Sequence, residues 1–119
     1  MGNFNKMEVW IESKALAIKI YQLTSKGKFS NDFSFRDQIR RAAISVPSNL
    51  AEGEESGSIK GSIRFFFIAS ASLAELRTQI EIAREVGYLR ENDFLLLSET
   101  MILLSKRIMK LIQYRQSIL

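Results

Sequence analysis

The sequence predicts an all-α protein, an up-down-up-down antiparallel four-helix bundle. Three observations carry that expectation. Apolar residues recur at helical spacing along most of the 119 residues, no window alternates apolar and polar positions as a half-buried strand would, and clusters of glycine and capping residues interrupt the pattern at only three places. The first helix is expected over about 7–26, where Val9, Trp10, Ile11, Leu16, Ala17, Ile18, Ile20, Tyr21 and Leu23 form a wide apolar arc beside the wet strip Glu12, Lys19, Gln22 and Lys26. Gly27 suits a left-handed stop, and Ser30-Asn31-Asp32 offers capping side chains to a second helix over about 31–55. Glu54-Glu55-Ser56-Gly57-Ser58 is the most polar connection. Gly61-Ser62 weakens the start of a third helix over about 59–86, which stops at Gly87. Arg90-Glu91-Asn92-Asp93 then opens a last helix over about 90–115.

Composition bounds the function. At 46% hydrophobic and 25% charged residues, with one proline and six glycines, residues 1–119 read as a single folded domain. There is no cysteine and no histidine, which removes disulfides, common zinc sites, thiol nucleophiles and imidazole bases together. No metal or other cofactor is expected, and an enzyme is not. Seventeen Lys and Arg against thirteen Asp and Glu give a net charge of +4, which favours an anionic partner. Glu8 and Glu12 argue against a signal peptide, and no apolar run approaches the ~18 residues of a membrane span. A cytoplasmic protein without membrane contact is expected.

Two helices hold more apolar or uncharged surface than a monomer needs. In the last helix Phe94, Leu97, Met101, Leu104, Ile108 and Leu111 suffice for a core seam, yet Leu95, Ile102 and Met109 form a second stripe and Leu96 with Leu103 a third. Scattered exposure is the bland explanation. Their alignment favours an oligomer contact. In the second helix, Phe35, Ile39, Ala42, Ala43, Val46, Leu50 and Gly53 form the core face, and Gln38, Arg41, Ser45, Asn49 and Glu52 a polar stripe. Arg40, Ile44, Pro47 and Ala51 form a third face, assigned with the extra stripes of the last helix to contact between subunits. Pro47 either breaks this helix or kinks it, and the unbroken phase of the core face favours a continuous helix. The third helix has a matching polar stripe at Ser72, Glu75 and Gln79. Glu52 and Glu75 could be read as paired catalytic carboxylates, but no nucleophile, metal ligand or phosphate-binding loop accompanies them. A structural polar network joining the two stripes is expected instead.

The run from Gln38 to Gly53, QIRRAAISVPSNLAEG, together with Phe66 to Ile80, FFIASASLAELRTQI, and Gly87-Tyr88-Leu89, closely resembles the four-helix-bundle family of proteins encoded in intervening sequences of bacterial large-subunit (23S) ribosomal RNA genes. The resemblance covers the chain to about Leu89; the last helix fits by pattern only. It implies a homopentameric ring and a relation to accessory proteins of diversity-generating retroelements, basic bundles that engage nucleic acid and a reverse transcriptase. It implies no enzymatic activity. The sequence departs from the family at the corner between the second and third helices, where Glu54-Glu55-Ser56-Gly57 replaces a more basic pattern. Ser70-Ala71 likewise stands where a basic residue and glycine are common.

The function expected on these grounds is weak binding of RNA or DNA by a homo-oligomer. Its phosphate contacts are assigned to Lys106, Arg107, Lys110 and Arg115, with Lys19 and Lys26 as secondary candidates. The same basic residues near a helix C-terminus could merely complement the helix dipole. A protein-protein scaffold or adaptor without nucleic-acid binding is the alternative.

Overall fold

The computed structural model describes residues 3–119. A single 3-10 turn at Phe4–Lys6 precedes five α-helices: α1 Glu8–Thr24, α2 Gly27–Asn31, α3 Phe33–Glu55, α4 Ile59–Glu85 and α5 Glu91–Ser117. No strand occurs among the described residues. The four long helices pack in the cyclic order α1, α3, α4, α5, so that α1 faces α4, and α3 faces α5, across a shared core. Short connections reverse the chain between consecutive long helices, as antiparallel neighbours require. The body is a rod of 46 × 22 × 20 Å, set by the length of α4 and α5, whose 27 residues each give about 40 Å of helix. No helix among the described residues is long and apolar enough to cross a membrane.

One element departs from the four expected. Gly27, at φ +57°, makes the left-handed reversal that its lack of a side chain allows, but the chain then forms the five-residue helix α2 before α3 begins. Burial explains this turn of helix: Phe29 is buried and stacks on Phe35, with ring centroids 5.4 Å apart, while Tyr88 tilts against both rings. Asp32 joins the pieces. One carboxylate oxygen accepts the Phe35 amide as the cap of α3, and the other accepts the Tyr88 hydroxyl at 2.9 Å, tying the start of α3 to the α4–α5 connection.

Helix α3 runs unbroken through Pro47. Its core face is the one its periodicity marks, with Ile39, Ala42, Ala43, Val46, Leu50 and Gly53 all buried and Phe35 half-buried. Small residues on this face let α4 approach closely. The Gly53 carbonyl accepts the buried Ser62 hydroxyl at 2.6 Å, and the Phe66 ring edge fills the space where a Gly53 side chain would stand. Ser58 caps α4 by accepting the Gly61 amide at 3.0 Å, which offsets the weak helix formers at that end.

On α5 the seam follows Phe94, Leu97, Met101, Leu104 and Ile108 and then steps to Ile112, leaving Leu111 half-buried at its margin. Spacings of three and four are both helical, so only the neighbouring helices decide which residue closes the seam. The wide arc of α1 divides: Val9, Leu16, Ala17 and Ile20 enter the core with Ser13 and Thr24, whereas Ile11, Ile18 and Tyr21 remain exposed.

Candidate interaction surfaces

The polar stripes of α3 and α4 face one another, and only part of them is joined. The Ser45 and Ser72 hydroxyls are 2.7 Å apart, and Asn49 Nδ2 donates to the Ser45 carbonyl and hydroxyl at 2.8 and 3.0 Å. Gln79, buried, donates from Nε2 to Glu75 at 3.4 Å, while its Oε1 is buried without a partner among the described residues. Gln38 donates to Ser34 within its own helix. Arg41 and Glu52 lie exposed on the outer edge of this groove and make no side-chain hydrogen bond or ion pair among the described residues. The stripes thus form a small interhelical joint, Asn49–Ser45–Ser72, flanked by two charges left in solvent. Glu52 and Glu75 are both exposed and share no hydrogen bond among the described residues, so they do not form a carboxylate pair.

The outer face of α5 is apolar toward its N-terminal half. Leu95, Leu96, Ile102, Leu103 and Met109 are 54%, 63%, 41%, 47% and 38% exposed. They fall on two flanks. Ile102 borders the groove between α5 and α4, and Leu96 lines a groove with Glu12, Ala15, Leu16 and Lys19 of α1. Ile11 and Ile18 of α1 are also exposed, each by about half. Of the third α3 face, Ile44 is exposed and Pro47 half-buried. Arg40 is engaged within the chain: its guanidinium lies 4.5 Å from the centre of the Tyr21 ring and donates to the Thr24 and Ser25 hydroxyls at 2.8 and 3.0 Å.

The basic residues separate into two groups. Lys106 and Lys110 are exposed on α5 with no ion-pair partner among the described residues, and Lys19 and Lys26 are likewise exposed near the far end of α1. Arg107 pairs with Glu12 and closes α5 onto α1. Arg115 donates to Glu54 at 2.7 Å, both side chains only 15% exposed, and its guanidinium lies 5.3 Å from the centre of the Phe66 ring. This last pair is a packed brace between the C-terminal ends of α5 and α3. Glu54, which sequence reasoning placed in a flexible polar connection, is the partner that no local pattern marks. Its only signal is its place on the α3 wheel, one turn beyond Leu50.

A crystal structure from the S23 ribosomal protein family, a protein of unknown function from Bacteroides thetaiotaomicron, superposes with a TM-score of 0.82 at 20% identity, covering 88% of this chain and 95% of that one. At that identity the likeness is one of fold. No curated protein matches the chain. The model of the 23S rRNA-intervening sequence proteins matches residues 5–110, which includes the α3 run, the α4 run and most of α5; the chain belongs to that family.

Proposed function

We propose that the chain is a non-enzymatic bundle that self-associates through the apolar outer face of α5, most simply as a homopentameric ring, and contacts RNA or DNA phosphates through the basic half of the same helix. The observation that carries this reading is the division of one helix face: exposed Leu95, Leu96, Ile102 and Leu103 precede exposed Lys106 and Lys110. Five large apolar side chains exposed on two adjacent flanks of one helix exceed the scattered exposure of a monomer. Cations beside such a contact are then repeated by symmetry. Five copies of a +4 chain would carry +20, and each weak phosphate contact gains from the others. The absence of histidine and cysteine supports the non-enzymatic part.

The pairing of Arg107 with Glu12 and of Arg115 with Glu54 favours a second reading, a protein scaffold, because it takes half of the expected α5 cations into the fold. Two measurements separate the readings. Light scattering at micromolar concentration is expected to give a multiple of 13.6 kDa, and the single-chain mass would refute self-association. Fluorescence anisotropy with a labelled structured RNA and a duplex DNA is expected to show binding that weakens roughly 150-fold between about 50 and 200 mM salt if four phosphates are neutralised. Joint replacement of Lys106 and Lys110 by Glu is expected to abolish it. No binding at the lower salt leaves the scaffold reading.

A further inference from the structure

At the end of the rod opposite the Arg115–Glu54 brace, the α1–α2 reversal meets the α4–α5 connection. A cavity of about 410 Å³ lies between them, lined by Lys19, Leu23, Lys26, Gly27, Tyr88, Leu89, Arg90 and Asp93. Its volume is within the range of small-molecule sites. Lys19, Lys26 and Arg90 have no ion-pair partner among the described residues, and Asp93 is the single carboxylate on the wall, so the cavity carries a surplus of two positive charges. Leu23, Leu89 and the Tyr88 ring supply an apolar side. Tyr88 is held there by its hydrogen bond to Asp32 and its contact with Phe29, so that wall is built by the fold. The cations come from two segments distant in sequence: Lys19 in the last turns of α1 and Lys26 just before α2 on one side, and Arg90 just before α5 on the other. Elsewhere on the bundle Arg36, Arg84, Arg107 and Arg115 each pair with a carboxylate. Here two lysines and an arginine line one recess and none is paired among the described residues.

We propose that this recess is a phosphate-binding pocket, with Lys19, Lys26 and Arg90 holding the anion and the Tyr88–Leu89 wall accommodating the group attached to it. Lysine and arginine at a concave, partly apolar site suit a phosphate monoester or diester: the cations match its charge, and the guanidinium can donate two parallel hydrogen bonds to its oxygens. Asp93 opposes the anion and lowers its affinity. Arg90 is the member that no sequence pattern marked, since its assignment there was only to a helix start. The pocket stands independently of the α5 reading. A free phosphate and the phosphate of a nucleic-acid backbone share this chemistry, and the two sources are separable by competition.

The test uses the full chain, with inorganic phosphate, adenosine monophosphate and a short single-stranded RNA as probes. Amide chemical shifts of Gly27, Leu89 and Arg90 are expected to move saturably with phosphate and with the nucleotide, and not with equal ionic strength of chloride. Lys26→Gln combined with Arg90→Gln, both exposed positions, is expected to weaken binding at least tenfold. Asp93→Asn is expected to tighten it severalfold. Lys60→Gln, an exposed position on the first turn of α4 at the opposite end of the rod, is expected to leave it unchanged. Chloride moving the same amides equally, or Lys26→Gln with Arg90→Gln leaving phosphate binding intact, would overturn the pocket. RNA that competes with phosphate identifies a nucleic-acid source, and phosphate binding without RNA competition identifies a free one. RNA binding that is lost with Lys106 and Lys110 while phosphate shows no saturable shift would leave the α5 reading standing and refute the pocket. Phosphate binding without any RNA binding would do the reverse.

Discussion

Gly53→Ala sets two physical effects of opposite sign against each other. In an open helix the exchange would stabilise the chain by about 1 kcal/mol, because alanine restricts the unfolded backbone and favours the helix. At this position an added Cβ would stand 2.5 Å from Phe66 Cε1, 2.7 Å from Phe66 Cδ1 and 3.2 Å from Phe65 Cβ. Phe66 is fully buried and cannot swing into solvent, so α3 and α4 must separate or the ring must leave its rotamer. Such overpacking costs about 1–3 kcal/mol, and separation would also stretch the 2.6 Å hydrogen bond that Ser62 donates to the Gly53 carbonyl. The net expectation is a loss of about 1 to 2 kcal/mol, or a fall in melting temperature of about 3–6 °C for each kcal/mol in a chain of this size. Urea denaturation at one fixed protein concentration should show a lower midpoint with an unchanged slope. Phe66→Leu in the same chain should recover part of the loss, giving a coupling energy of about 0.5 kcal/mol or more. Equal or greater stability of Gly53→Ala alone would refute the argument, for it would mean that the interface has room and helix propensity decides.

Three further outcomes are expected. Arg115→Ala leaves Glu54, 15% exposed, without its partner and should cost about 2 kcal/mol in urea denaturation, whereas Arg115→Met with Glu54→Gln should lose much less. The Tyr88 hydroxyl donates to Asp32, and this hydrogen bond, then burial, then the Asp32 charge hold its pKa above the ordinary phenol value. A folded-state pKa raised in this way contributes stability that is complete below about pH 10 and is lost as pH rises through the folded value, so Tyr88→Phe should flatten the alkaline limb of a stability profile. Glu52→Ala should change the unfolding free energy of the dilute single chain by no more than about 0.5 kcal/mol, since Glu52 is exposed and unpaired among the described residues. A larger loss would require Glu52 to be covered in an assembly.

The amino-acid sequence by itself determined the all-α class, the long helices and their inward faces. Those faces follow from a local period of 3.6, which the order of Ile39, Ala42, Val46 and Leu50 or of Leu97, Met101 and Leu104 carries without reference to any neighbour. The α3 run also carried the family. Only the tertiary structure decided which charged and polar side chains meet. Arg115 and Glu54 are 61 residues apart, Arg107 and Glu12 are 95 apart, and Tyr88 reaches Asp32 across 56; two of the four α5 cations assigned to phosphates are thereby engaged inside the chain. The same holds for the end cavity, where Lys26 and Arg90 each precede a helix and share no periodicity. Helical spacing constrains neighbours one turn away, whereas a long side chain finds its partner from the rotation and offset of packed helices, quantities that arise only when the whole core closes.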